Sequence, residues 1–231
     1  MFSTYFCIFA ADMDKAIFNA ALERYADTID QIRTKAHELH QSVNQTYGKD
    51  LPYGYHLDMV AEEAREFGYL VCEKESDVVP MMFGAYYHDS IEDARLTYND
   101  VMKVARSFMN DDDALMATEI VYALTNDKGR NRAERAGERY YEGIRNTPYA
   151  PFMKLCDRVA NITYSCSGTD ADNIRMKEVY KKEVPHFLES INPHSSDVRF
   201  KVPSELVEQL AEQLIDELMR EEWEKEMKEK L

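Results

Sequence analysis

The residues best suited to chemistry in this chain are concentrated in one short stretch, YYHDSIED, at positions 86 to 93. It carries one imidazole, His88, and three carboxylates, Asp89, Glu92 and Asp93. The residues before it are nearly all apolar, so the stretch is predicted to be the exposed end of a buried helix. Residues three and four apart share a helix face, which would place all four side chains on one broad face. Such crowded acids repel one another unless a positive charge lies nearby. One interpretation is therefore a site that holds a positive charge; the alternative is a solvated helix end with ordinary surface charge.

A further carboxylate, Asp157, lies inside the apolar segment PFMKLCDRVANI. An ionised carboxylate in a buried helix is unfavourable without a partner. Lys154 and Asn161 share its helical stripe, and Arg158 is adjacent. A simple Lys154–Asp157 ion pair is therefore the alternative to a functional role.

A third feature is His56, at the edge of an apolar helix that is entered from a loop. A single histidine in such a place is more often a core residue satisfied by a hydrogen bond. Together with His88, Asp89 and Asp157, however, it makes a set of two nitrogens and two carboxylates. Such a set suits one divalent ion such as Mn²⁺, Fe²⁺ or Zn²⁺ better than Ca²⁺, and leaves positions for water or a phosphate oxygen. We predict one divalent ion and favour Mn²⁺.

The order of these segments resembles a known family. The strings YGYHLDMV, AYYHDSIED followed by Thr97, YALT and MKLCDRVANI are similar to motifs of the HD superfamily of metal-dependent phosphohydrolases. Within it, they most resemble the hydrolase domain of the RelA/SpoT family and its single-domain small alarmone hydrolases. The typical strings there are Tyr-x-x-His-Pro-x-x-Val, His-Asp-x-x-Glu-Asp-Thr and Lys-Leu-Ala-Asp-Arg-x-x-Asn. The similarity covers about residues 29 to 164.

The resemblance implies an HD-domain helical bundle and a set of site residues. These are the metal ligands His56, His88, Asp89 and Asp157, the catalytic acidic pair Glu92 and Asp93, and the substrate-binding residues Lys49 and Asn161. Three positions depart from the family pattern. Leu57 replaces a proline and Ala94 a threonine, and Lys49 stands alone where the loop usually carries an Arg-Lys pair.

The activity implied by the resemblance is removal of the 3′-pyrophosphate from guanosine tetra- or pentaphosphate alarmones. The ion would polarise a phosphoryl oxygen, and Glu92 or Asp93 would act as a general base toward water. One alternative keeps this chemistry on another substrate, as a nucleotide or dinucleotide-cofactor phosphatase. The other is an inactive HD domain that serves as a binding module, with the C-terminal helix as its contact. The presence of all four ligands and both acidic residues favours an enzyme.

The elements that must position these residues are predicted to be helical, since Gly and Pro are few and apolar residues recur every three or four positions. We predict an all-α fold with a single hydrolase domain over residues 1–195 and an additional amphipathic C-terminal helix over 196–231. The predicted helices begin with one continuous helix from Met13 to Val43, in which Ile17, Ala20 and Ala21 belong to the buried face. The helix from Pro80 is expected to run to Ala94, and the helix from residue 170 to break near Pro185. The remaining helices are predicted near residues 56–67, 98–109, 111–125, 130–146 and 149–165.

Charged segments leave two alternatives open. Lys128, Arg130, Arg132 and Arg135 could neutralise distant phosphates, but a solvated helix is favoured for them. The terminal helix carries the apolar stripe Val207, Leu210, Leu214 and Leu218, which is predicted to pack on the domain, with self-association to a homo-oligomer as the alternative.

The overall charge limits the partners. A net charge of −15 repels nucleic-acid polymers and anionic membranes, so we expect a small nucleotide substrate instead. The four cysteines show no paired spacing and are predicted to be reduced thiols. The apolar opening segment lacks the features of a signal peptide or a membrane span. The cytoplasm is the expected location.

Overall fold

The computed structural model describes residues 13–126, 137–193 and 195–214, and it confirms the predicted all-α fold. A two-stranded antiparallel hairpin, Thr46–Tyr47 (β1) paired with Leu51–Pro52 (β2), follows the second helix. None of the helices in these residues is long and apolar enough to cross a lipid bilayer. The helices are α1 (Lys15–Arg24), α2 (Ala26–Ser42), α3 (Gly54–Phe67), α4 (Val78–Tyr87), α5 (Tyr98–Ala105), α6 (Asp111–Leu124), α7 (Glu138–Arg145), α8 (Ala150–Ser167), α9 (Ala171–Ile191) and α10 (Ser204–Leu214).

Two helices form the centre of the molecule. Every residue of α4 is buried, which agrees with its uninterrupted apolar sequence, and α4 packs against α2, α3 and α6. Helix α8 is buried over most of its length and packs against α3, α9 and α10. Since α3 packs against both, the start of α3, the end of α4 and the middle of α8 lie close together.

The expected single helix from Met13 to Val43 is wrong, because the chain breaks at Tyr25 into α1 and α2. The expectation that Ile17 is buried is also wrong: its exposed fraction is 49%, and Ala20 is exposed as well. The buried stripe continues backward from Ile29 at helical spacing through Ala21, which is buried as predicted, and Phe18.

The helix expected to run from Pro80 to Ala94 ends earlier, at Tyr87. Residues 88–93 form turns, in which the backbone N–H of Asp93 still donates to the carbonyl of Asp89 at 2.8 Å. The four polar side chains therefore do not share one helix face: His88 is buried, Asp89 and Asp93 are half-buried, and Glu92 is exposed. The expected break near Pro185 is also wrong, since α9 is continuous through it. Thr97 caps α5, accepting a hydrogen bond from the backbone of Asp100.

The C-terminal helix packs on the body of the domain over its described part. Leu206, Leu210 and Leu214 are buried, and α10 contacts α8. Two residues of the predicted apolar stripe, Leu210 and Leu214, are thus buried in the structure. Leu218 and the rest of residues 215–231 lie outside the described residues, as do residues 1–12 and the basic residues of 127–136. Self-association stays a prediction.

A pH-dependent contact joins α10 to α3. Gln209 donates to both carboxylate oxygens of Glu63, at 3.0 and 3.1 Å. Burial raises the pKa of Glu63 from 4.5 to about 7; the bond from Gln209 opposes this rise, and the nearby Glu62 and Glu66 add to it. Between pH 4.5 and 7 the unfolded chain releases this proton before the folded chain does. The free energy of unfolding therefore falls as pH rises through this window.

Glu63→Gln is expected to abolish the fall in the free energy of unfolding with rising pH. The amide keeps an acceptor for Gln209 but carries no charge. At pH 8 the variant should be stabilised by about 1 kcal/mol, discounted for partial exposure, or roughly 2–4 °C in melting temperature. At pH 4.5 its melting temperature should equal that of the parent. Glu62→Gln, at an exposed neighbouring position, is the control and should change little at either pH. An unchanged melting temperature of Glu63→Gln at pH 8 would contradict the assignment.

Candidate metal centre

The four predicted metal ligands lie in, or directly after, three helices, with Asp89 next to His88 after α4. His56 lies in the first turn of α3, whose neighbouring Leu57 and Val60 are in the core, so the imidazole is buried with an exposed fraction of 1%. His88 directly follows the last residue of α4 and is equally buried. Asp157 lies in the middle of α8 and is also buried.

The four side chains converge on one point. Nε2 of His56 and Nε2 of His88 are 3.2 Å apart, and Oδ1 of Asp157 lies 3.3 and 3.8 Å from them. Oδ2 of Asp89 lies 2.9 Å from Nε2 of His88 and 3.6 Å from Nε2 of His56. The structure therefore brings together residues that are far apart in the sequence, as predicted. The group His56, His88 and Asp157 could hold a metal ion.

The spacing of these atoms fits a shared divalent ion. Two ligand atoms that each lie about 2.1 Å from one ion, at an angle of roughly 90–109°, are about 3.0–3.4 Å apart. The distances from His56 to His88 and to Asp157 fall in this range. Nδ1 of His88 lies 2.9 Å from the carbonyl oxygen of Ala85. Donation from that nitrogen leaves the Nε2 lone pair free to face the ion, as in most metal-bound histidines.

The electrostatics of the centre also favour a cation. Burial lowers the pKa of His56, but the carboxylates of Asp157 and Asp89 outweigh it and raise that pKa to about 9. Burial likewise opposes ionisation of Asp157, yet Lys154 and the two histidines hold its pKa well below the usual range. The two carboxylates thus stabilise positive charge at this point, carried either by protonated imidazoles or by a divalent ion.

Neither protein-family models nor curated proteins gave a match when compared with this chain. The resemblance to the HD superfamily therefore rests on the sequence motifs alone.

Asp157 also forms the ion pair that was the alternative to a functional role. Nζ of Lys154 lies 2.9 Å from Oδ2 of Asp157. Oδ1, the other oxygen, faces the histidines and accepts from Nδ2 of Asn161 at 2.6 Å. The two interpretations are compatible, since each uses a different oxygen. Arg158 pairs with Glu183 instead, at 2.9 Å.

The centre lies in the wall of a cavity of about 590 Å³. Glu92 and Asp93 line the same cavity, as does Asn161. Glu92 is exposed and accepts from Nδ2 of Asn126 at 2.8 Å. Asp93 is half-buried, and burial followed by the charge of Asp89 raises its pKa. Lys49 is exposed in the turn of the hairpin and is not among the residues that line the cavity.

Aromatic residues of the site were missed by the sequence analysis. The hydroxyl of Tyr53 donates to Oδ2 of Asp89 at 2.5 Å, and its ring stacks on the buried His40. Tyr47, from β1, stacks on His56. The cavity is also lined by Tyr140, Tyr141, Tyr180 and Phe187. Tyr53 could have been found from its place three residues before His56. The others carry no local signal in a chain with 15 tyrosines.

Proposed function

We propose that this chain is an HD-type, metal-dependent phosphohydrolase that acts on a nucleotide. The convergence of His56, His88, Asp89 and Asp157 in the wall of a large cavity is the observation that carries the proposal. Removal of the 3′-pyrophosphate of guanosine tetra- or pentaphosphate is the activity that the sequence resemblance favours. Mn²⁺ is the proposed ion, with Zn²⁺ and Fe²⁺ as alternatives of similar ligand preference.

A divalent ion held by these four residues supplies Lewis acidity toward a phosphoryl oxygen and acidifies water. The residues of the chain account for the other requirements. Glu92 and Asp93 line the same cavity as the centre, so either can accept a proton from an attacking water. Four buried aromatic side chains also line the cavity, and two of them, Tyr180 and Phe187, pack on the guanidinium of Arg158; the other two are Tyr140 and Tyr141.

A second candidate function, hydrolysis of a nucleoside monophosphate, is favoured by the charges around the cavity. Both cations that line it in the described residues are already paired, Lys154 with Asp157 and Arg158 with Glu183. Counted with neutral, metal-ligating histidines, the described residues of the lining carry an excess of three negative charges, which a divalent ion would reduce to one. This environment disfavours a substrate with several phosphates more than a monophosphate. The lining carboxylates are Asp89, Glu92, Asp93, Asp157 and Glu183.

Metal analysis followed by a product assay distinguishes these functions. Purified protein is expected to retain about one equivalent of divalent ion, and a chelator is expected to abolish turnover. Release of pyrophosphate from guanosine tetraphosphate supports the alarmone hydrolase. Release of orthophosphate from nucleoside monophosphates, with no reaction on the alarmone, supports the second candidate. Protein that binds no Mn²⁺, Fe²⁺ or Zn²⁺ and hydrolyses none of these nucleotides would contradict both and leave a binding module.

A further inference from the structure

The two histidines of the centre are held in different ways. Nδ1 of His88 is anchored on the carbonyl of Ala85, as described above. In the described part of the chain, Nδ1 of His56 is buried and has no hydrogen-bond partner. A histidine that binds a metal ion usually donates its second nitrogen to an acceptor that fixes the ring orientation. The orientation of His56 must therefore come from another source.

That source is the ring of Tyr47. It stacks on the imidazole of His56 with 4.8 Å between centroids and 17° between planes. The rings of Tyr53 and His88 contact His56 nearly edge-on, at 5.6 and 5.2 Å. A parallel stack on one side and edges on two others restrict rotation of the imidazole, even though no hydrogen bond is made at Nδ1.

Tyr47 also acts on a second ligand, through its hydroxyl group. This hydroxyl donates to Oδ1 of Asn161 at 3.0 Å, which directs the amide nitrogen of Asn161 toward Asp157. Nδ2 of Asn161 then donates to Oδ1 of Asp157 at 2.6 Å and to its backbone carbonyl at 2.9 Å. The oxygen that is held in this way is the one that faces the two histidines.

The hairpin that carries Tyr47 is small, since β1 and β2 have two residues each. An isolated hairpin of this kind is unstable in water, so its position depends on contacts with the helices. The ring of Tyr47 packs on Tyr164 of α8 at 4.6 Å. The next residue, Gly48, has a φ of 60°, and a Cβ atom there would lie 2.0 Å from the hydroxyl oxygen of Tyr164. The turn is therefore seated directly on α8.

We infer that Tyr47 is a positioning residue for the metal centre. Its ring fixes His56 and its hydroxyl fixes Asp157 through Asn161, so seating of the hairpin on α8 completes the ligand set. This inference rests on the proposed function, because it requires that the centre binds a divalent ion. It assigns to the hairpin a part in metal affinity that is separate from substrate binding.

The experiment titrates metal-free protein with Co²⁺ and records both affinity and the visible absorption of the bound ion, which reports ligand geometry. Tyr47→Leu removes the stack and the hydroxyl, and is expected to weaken Co²⁺ binding about 10–100-fold, the range typical of outer-shell partners, with a changed spectrum. Tyr47→Phe keeps the ring and is expected to weaken binding by less, about 3–10-fold.

Tyr55→Leu is the matched control. Tyr55 belongs to the same aromatic cluster, contacts Tyr47 and Tyr164, and is 46% exposed. Its replacement is expected to leave Co²⁺ affinity within about twofold, because it is not stacked on a ligand in this cluster. Melting temperatures with excess chelator distinguish a general loss of stability from a specific loss of metal affinity.

The outcomes are distinguishable. If the parent binds Co²⁺ and Tyr47→Leu binds it equally well with the same spectrum, the role of Tyr47 is refuted and the metal centre stands. If the parent itself binds no Co²⁺, the proposed function fails and the inference fails with it. If Tyr47→Leu does not fold, Tyr47→Phe is the deciding variant. Co²⁺ affinity equal to that of the parent would then refute the contribution of the Tyr47 hydroxyl to metal binding.

Discussion

Replacement of Asp157 by Asn is expected to abolish metal retention and turnover while the helical fold persists. Oδ1 of Asp157 lies within 3.8 Å of both histidine nitrogens, and a neutral amide there provides no charge to balance a divalent ion. Metal affinity should fall by more than about 100-fold, the upper end of the effect seen for residues that only support a ligand. Asparagine is preferable to alanine because Asn161 and Lys154 both donate to this side chain.

Lys154→Met is the control for Asp157→Asn. If Asp157 serves only as the partner of Lys154, the two single variants should lose similar stability, and the double variant should regain stability and activity. If Asp157 is a metal ligand, Lys154→Met retains the ion and the double variant does not. The measurements are metal content after gel filtration, turnover and thermal unfolding. Full turnover by Asp157→Asn would refute the ligand assignment.

Glu92→Gln is expected to have the opposite pattern, with metal binding retained and turnover lost. Glu92 is exposed, and its carboxylate accepts hydrogen bonds from the backbone and side-chain nitrogens of Asn126. Glutamine keeps the size of the side chain but cannot act as a general base. We expect metal affinity within about twofold of the parent and a fall in kcat of about 10²–10⁴-fold.

Two comparisons establish whether Glu92 itself is the base. Asn126→Ala removes the side-chain hydrogen bonds to Glu92 and is expected to reduce kcat by far less than Glu92→Gln does. Asp93→Asn tests the neighbouring carboxylate, which lines the same cavity. If Glu92→Gln turns over at the parental rate and Asp93→Asn does not, the base is Asp93 and Glu92 leaves the mechanism.

The sequence was sufficient for the fold class and for the location of the centre. The apolar run before His88 and the buried pattern around Asp157 marked two core helices, and these helices do bring both residues into the interior. No spacing rule could show that His56 meets them, because long-range packing sets that contact. The inclusion of His56 in the site came from the family resemblance.

The end of α4 and one of the buried positions of α1 could not be predicted, because the local sequence is compatible with more than one outcome. Residues 88–94 have an acceptable helical sequence, yet α4 ends at Tyr87, where His88 contacts His56 and Asp89 accepts from Tyr53; such tertiary contacts can override local propensity. Ile17 and Phe18 are both apolar, and only packing determines which of them is buried. The role of Tyr47 could not be predicted, because it depends on a tiny hairpin seated on a helix that comes more than a hundred residues later.

The candidate metal centre lies where three core helices meet, so ion binding there would also affect folding stability. An ion bound by α3, the end of α4 and α8 would cross-link elements that also pack together through buried apolar side chains. Because it binds the folded chain in preference to the unfolded one, ligation would raise folding stability with the free ion concentration, by about 2.7 kcal/mol at a hundredfold excess over Kd. Scarcity of the ion would then lower the cellular lifetime of the protein as well as its activity, through exposure of the unfolded chain to proteases.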